Sequence, residues 1–367
     1  MLANQVANPA THKHTAAMPS KAASVRSPNL SVTAGQALTP MAFVAAIVEG
    51  YRRHGKNPAQ ALKLAQIAPN KLVNPAARIS AAQMECISGA AMQELDDEAL
   101  GWFSRRLPWG SYGMLARASL SATSLGRALK RWCRHHSLIA SDITLGLSVS
   151  GETATLAITE HSDLGSLREF CLVSVLRNIH GLACWLIDSR LPLQGAQFPF
   201  PAPAHHEVYG VLFPGPIRFA AGTAAIHFDA RYLALPLRRD EVAMNQMLQR
   251  ALPLTVHQYR RDRLLVARVR QALAAQPAQT RSAEDLAALL HVSPRTLHRQ
   301  LIEKGTSLQT LKDEVRQGRA RELLLRTARP LKQVAEAVGF QNEKSFIRAF
   351  RTWTGQTPNE FRRAGRS

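Results

Sequence analysis

Two clusters of side chains in the last third of the chain have residue types and spacing suited to reading a nucleic acid. Arg295, His298 and Arg299 follow Ser293-Pro294 at helical spacing, with Leu297 and Leu301 on the opposite side. Further on, Asn342, Glu343, Lys344, Ile347 and Arg348 line one side of a segment whose other side carries Phe346, Ala349 and Phe350. Residues three and four apart share a helix face, so each cluster is a polar face laid over an apolar one. Arginine can donate two parallel hydrogen bonds to guanine, and His298 can donate to or accept from a purine edge. Glu343 can accept from a cytosine amino group but repels phosphate, while Ile347 can either touch a thymine methyl or pack. Lys344 and Asn342 suit phosphates as well as bases. Arg348 is the foremost candidate base reader of the second cluster.

Such side chains work only when rigid elements hold them, and the surrounding sequence supplies those elements twice. Ser282 opens a helix, with Asp285 three residues on and Leu286, Ala287, Leu289 and Leu290 following. His291-Val292-Ser293 is a turn, after which Ser293 as N-cap and Pro294 at the first helical position start a second helix. The pattern recurs 48 residues later, where Val334, Ala335, Val338, Gly339 and Phe340 match Leu286, Ala287, Leu290, His291 and Val292. Beyond the turn the offset is 49, so Phe346 and Phe350 match Leu297 and Leu301. Each copy reads as helix, tight turn, helix. Gly339 suits a turn that needs positive φ, and His291 suits it less. Between the copies, Ser307 to Arg326 reads as one rod. Leu308, Leu311 and Val315 face one way, and Ala320, Leu323 and Leu324 are rotated from them, so its ends should pack against different units. Arg316, at the edge of that apolar surface, is expected to meet an acidic partner.

Charge agrees with this placement. The 367 residues carry a formal +20, and residues 257–367 hold 22 Lys/Arg against 10 Asp/Glu, which favours a polyanionic partner. Cys86, Cys133, Cys171 and Cys184 are scattered singly and read as small core residues. The longest apolar stretch, Phe170 to Ile187, is broken by Arg177, Asn178 and His180, so no membrane-spanning helix is expected. Met1 to Thr39 has no continuous apolar core of a signal peptide, which points to the cytoplasm. No common catalytic motif is present, and His205-His206 follow Pro203 in an expected loop without carboxylate or thiol company. Neither an enzyme nor a bound metal or cofactor is expected. An architectural DNA binder without sequence preference remains a competing reading.

The first 240 residues alternate in character. Residues 1–38, rich in Pro, Ser, Ala and Asn, read as a disordered tail. Residues 39–240 read as an α+β unit, a helical half followed by a small antiparallel sheet. Helical spacing links Phe43, Val44, Ile47, Val48 and Tyr51, and Ser124 to His136 is amphipathic with Arg127, Lys130, Arg131 and Arg134 on its solvent side. Strand alternation follows at Ile143–Val149 and Ala154–Ile158 around a Ser150-Gly151-Glu152 turn. A buried helix from Ser166 to about Asp188 comes next, then strands at Gln197–Phe200, Ile217–Ala220 and Ala225–Phe228. Residues 241–256 read as a linker, and 257–367 as an all-α unit of two helix-turn-helices joined by a long helix.

At this point the sequence resembles a known family. Val334 to Phe340, followed by Ser345 to Pro358, is very similar to the signature of AraC/XylS-type transcription regulators. Trp109 to Met114, the Leu125 to His136 helix and Phe213 to Phe219 look like the arabinose-binding-type N-terminal domain of the ornithine-utilisation-regulator branch. The label names a domain and implies nothing about arabinose. The resemblance implies base contacts at Arg295, His298 and Arg299, promoter DNA and RNA polymerase as partners, a homodimer, and a small-molecule effector for the N-terminal domain.

Overall fold

The computed structural model describes residues 24–25, 39–74, 76–249, 262–276, 280 and 282–364. The expected disordered tail lies outside these residues except for the two-residue strand β1 (Ser24–Val25).

Helices come first. After the short strand β2 (Thr39–Pro40), α1 (Met41–Arg53) buries Phe43, Val44, Ile47 and Tyr51. It is followed by α2 (Ala59–Leu64), strand β3 (Arg78–Ile79), α3 (Ala81–Leu95), α4 (Ser111–Leu120) and α5 (Leu125–Ile139). Ser80 caps α3 in a reciprocal box with Gln83. On α5, Leu125, Leu129 and Trp132 are buried, while Arg127, Lys130, Arg131 and Arg134 face solvent.

The chain then forms the hairpin β4 (Ile143–Ser150) and β5 (Thr153–Glu160), turning at Gly151 with φ of 57°. Helix α6 (Arg168–Leu186) is buried on nearly its whole circumference, which explains why its sequence shows no polar stripe. Strand β6 (Leu193–Gln197), the short α7 (Tyr209–Leu212), β7 (Ile217–Arg218) and β8 (Ala224–Asp229) complete a sheet in the order β1-β7-β6-β8-β5-β4. All its pairings are antiparallel except β6 with β7. The expected strand at Gln197–Phe200 sits four residues earlier. Pro199 and Pro201 have no N–H for a ladder, and the Phe198 ring instead packs against Tyr209 and Phe213.

Within the segment read as a linker, residues 241–249 form α8 (Glu241–Gln249). Its Met244 and Met247 are buried in the large N-terminal core. Arg117 of α4 bonds Glu241 and Asn245 across this contact. The remainder of that segment, 250–256, lies outside the described residues.

Among the described residues, the elements of the last part are all helices joined by turns: α9 (Leu265–Ala275), α10 (Ala283–Leu289), α11 (Pro294–Glu303), α12 (Leu308–Arg326), α13 (Leu331–Ala337), α14 (Glu343–Thr354) and α15 (Pro358–Ala364). It holds two separate cores. One gathers Leu265, Val269, Leu286, Ala287, Leu297, Leu301 and Leu311. The other gathers Ala320, Leu324, Val334, Ala335, Phe346 and Phe350. The rod α12 supplies Leu311 to the first and Ala320, Leu323 and Leu324 to the second, as the drift of its apolar face requires.

Candidate nucleic-acid interface

The first unit is built from its caps inward. Ser282 Oγ accepts the Asp285 amide at 3.0 Å while Asp285 Oδ2 accepts the Ser282 amide at 3.2 Å. Helix α10 ends at Leu289 with Leu290 as its C-cap, and His291 turns the chain with φ of 53°. Ser293 Oγ then accepts the Thr296 amide at 3.1 Å and starts α11 on Pro294. Leu297 and Leu301 point into the core, which leaves Arg295, His298 and Arg299 exposed on the opposite face. Ile302, also exposed, extends that face by one turn. Arg299 stands 3.5 Å from Glu303, an exposed i,i+4 pair that holds the side chain along the helix at little cost to release.

In the second unit Gly339 makes the equivalent turn with φ of 83°, and Asn342 caps α14, its Oδ1 accepting the Ser345 amide at 2.8 Å. Asn342 thus spends its oxygen on the helix and keeps only its NH2 for a ligand. Phe346 and Phe350 are fully buried, and Phe340, Trp353 and Phe361 close around them. Glu343 is half-buried in the first turn, and Ile347 packs partly against this core. Lys344 and Arg348 are exposed and take no part in an ion pair among the described residues. An open groove of about 550 Å³ runs along the helix, lined by Lys344, Ile347, Arg348, Arg351, Thr352 and Thr357. Arg351 and Thr352 continue the spacing of 344, 347 and 348, a signal that was in the sequence once the helix was extended to Thr354.

Among the described residues Arg316 does not meet the expected acidic partner. Its guanidinium lies 5.2 Å from the centre of the Phe340 ring, and its Nη2 would stand 3.6 Å from a Cβ placed on Gly339. An aromatic face attracts a cation without requiring a second buried charge, so the rod is tied to the second turn by a cation–π contact. His205 likewise departs from the sequence reading. It is buried, with Nε2 2.7 Å from Glu169 Oε1, and Tyr209 donates to the same oxygen at 2.6 Å. Glu169 lies 36 residues away, so the carboxylate was invisible in the local sequence.

Among the described residues, the hydrogen bonds that join the C-terminal helices to the N-terminal domain are made by the first unit. Asp262, 1% exposed, accepts the Tyr232 hydroxyl at 2.6 Å and an Arg268 Nη1 at 2.8 Å, and its amide donates to Gln300 Oε1 of α11 at 3.0 Å. Arg190 donates to the His291 carbonyl at 2.9 Å, and the Arg263 amide donates to Ser189 Oγ at 3.0 Å. Burial, with Asp262 beside it, holds the Tyr232 phenol well above its ordinary range. Burial also pushes the Arg190 guanidinium and the His291 imidazole down, in both cases helped by Arg268 nearby. These partners were not legible locally. Gln300, three residues after inward-facing Leu297, was the one hint.

Comparison with known proteins agrees with this geometry. Residues 55–237 match the arabinose-binding N-terminal domain of AraC transcription regulators, and residues 286–364 match a helix-turn-helix domain. The chain is 28% identical over 328 residues to the ornithine utilization regulator of Pseudomonas aeruginosa, covering 89% of this chain and 97% of that one. It is 26% identical over 264 residues to the HTH-type transcriptional regulator VqsM of the same organism, covering 68% and 79%. An HTH-type transcriptional regulator of Mycobacterium tuberculosis is 23% identical over 335 residues, covering 89% and 96%. With two duplicated helix-turn-helix units behind an arabinose-binding-type domain, the chain belongs to the AraC/XylS family and is a DNA-binding transcriptional regulator.

Proposed function

We propose that the protein is a small-molecule-responsive activator that reads one promoter site with both units. Each unit lays its second helix in the major groove, the two helices entering successive turns about 34 Å apart. The observation that carries this reading is the shared geometry of the two helices. Arg295, His298 and Arg299 on α11, and Lys344 and Arg348 on α14, stand exposed over buried apolar faces that a single rod joins. Arg295, Arg299 and Arg348 pair with base edges. His298 adds a purine contact, Asn342 and Lys344 hold phosphates, Glu343 disfavours sites that bring phosphate close, and Ile347 meets a thymine methyl.

The same reading assigns residues 39–240 to effector sensing and dimerisation, with promoter contact extended to RNA polymerase in the cytoplasm. A regulator or repressor with no effector is the alternative, and the arabinose-binding-type fold of residues 55–237 is what favours a ligand. The chain acts by binding rather than by catalysis.

The test is selection of duplexes from a randomised library by the full-length protein, paired with genome-wide mapping of bound sites. Each mismatched pair in the selected site should cost about 1–3 kcal/mol at fixed salt. An architectural binder would tolerate a scrambled site without loss, and that outcome would sink the reading.

A further inference from the structure

The polar junction at Asp262 ties one of the two reading helices, and not the other, to the N-terminal domain. Among the described residues every hydrogen bond across the domain boundary goes to residues 262–276 or to the His291 turn of the first unit. Asp262 stands at the centre. On one side it accepts the Tyr232 hydroxyl, and on the other its own amide holds Gln300, the residue next to Arg299 on α11. Arg268 joins Asp262 to the Leu290 carbonyl at 3.3 Å, and Arg190 takes the His291 carbonyl one residue on. The first reading helix is therefore held at two points, at the turn before it by Arg190 of the N-terminal domain and along its length by Gln300, which bonds Asp262 beneath Tyr232. Meanwhile Arg295, His298 and Arg299 remain exposed.

We infer that Tyr232 and Arg190 are positioning residues for DNA recognition: through Asp262 and the His291 carbonyl they fix the pose of the first reading helix, so the N-terminal domain sets the specificity of one half-site only. The physical reason is geometric. A bidentate arginine–base pair tolerates errors of roughly half an ångström, and a helix held in place beforehand does not lose its orientational freedom again on binding. The second unit has its own core and its own cation–π tie to the rod, and makes no hydrogen bond or ion pair to the N-terminal domain among the described residues. Its readout is independent of the junction.

This inference rests on the two-unit reading above, and the experiment separates the two. Full-length wild type and the variants Tyr232→Phe and Tyr232→Phe/Arg190→Met are titrated onto the duplex that the wild type selects, and onto two derivatives with one half scrambled. Arg299→Ala and Arg348→Ala identify which half belongs to which unit. Both substitutions lie in the N-terminal domain and leave the Asp262–Arg268 and Asp262–Gln300 contacts untouched. The double variant should lose about tenfold of its discrimination at the first unit's half-site, as expected for hydrogen bonds that involve charged groups. Discrimination at the second half-site should stay within about twofold of wild type, inside the spread expected for distant sites. Should the double variant fail to fold, the isosteric Tyr232→Phe alone should still show a selective loss at the first half-site. Unchanged ratios at both halves, an equal loss at both, or a gain at the first would each overturn the inference. If wild type itself ignores either scrambled half, the two-unit reading fails and the inference falls with it.

Discussion

The two helix-turn-helix units descend from one pattern but are stabilised by different physics. The first has an aliphatic core, a histidine at its turn, and polar bonds to a neighbouring domain. The second has an aromatic core, a glycine at its turn, and an arginine laid over a ring. Matched positions carry the difference: Leu297 and Leu301 in one unit, Phe346 and Phe350 in the other. Phenylalanine buries more apolar surface than leucine, so a small unit with larger rings can be stable on its own packing. A unit with smaller side chains draws on its surroundings. The difference teaches that one unit is a module and the other a part of a larger body.

Core truncation tests that contrast most severely. Phe350→Ala should cost about 3–5 kcal/mol, because the ring is fully buried against Phe346 and Phe361. Hydrogen exchange followed residue by residue should show protection lost over α13, α14 and α15 while α10 and α11 stay protected. Equal loss in both units would mean that α12 welds them into one cooperative body. Leu301→Ala should cost about 2–5 kcal/mol and should weaken the first unit, with the junction to Tyr232 and Arg190 limiting the spread.

What was legible in the sequence follows the range of the forces involved. Caps, turns and amphipathic faces are local, so Ser282, Ser293 and the matched apolar positions of the repeat were readable and occupy the places their spacing gave them. The drifting face of α12 was readable for the same reason. Pairings between distant segments were not. Nothing near Asp262 announces Tyr232, thirty residues earlier, and nothing near His205 announces Glu169. Arg316 was assigned a carboxylate because a cation at the edge of an apolar surface needs compensation, and the sequence does not show that Phe340 comes within reach to supply it. At the candidate site the polar face of α14 was readable as far as Arg348. Its continuation to Arg351 and Thr352 needed the true end of the helix.

Base recognition offers the next comparison. Arg348→Ala should cost about 1–3 kcal/mol at one base pair and relax specificity there, leaving the salt dependence of binding nearly unchanged. Lys344→Ala should do the opposite, weakening all sequences alike and lowering the slope of affinity against salt by about one. Binding curves on single-mismatch duplexes at several salt concentrations separate the two. A uniform loss from Arg348→Ala would reassign it to phosphate, and the base-reading role in the second unit would pass to Arg351 on the same face.

The turns give the smallest effect and the sharpest symmetry. His291 and Gly339 occupy equivalent positions with φ of 53° and 83°, a region that costs a residue bearing a Cβ about 1–2 kcal/mol. Glycine avoids that cost but loses about 0.5–1 kcal/mol of chain entropy on folding. Replacing His291 by Gly should therefore raise stability by about 0.5–1 kcal/mol, and Gly339→Ala should lower it by a similar amount. The Cβ placed on residue 339 would meet Arg316 Nη2 at an ordinary 3.6 Å, so only the backbone term changes there. Urea midpoints at constant slope measure both. If His291→Gly destabilises the protein instead, the imidazole itself is part of the junction with Arg190 and Arg268, and the strained turn is retained because the first unit uses that ring to hold the neighbouring domain.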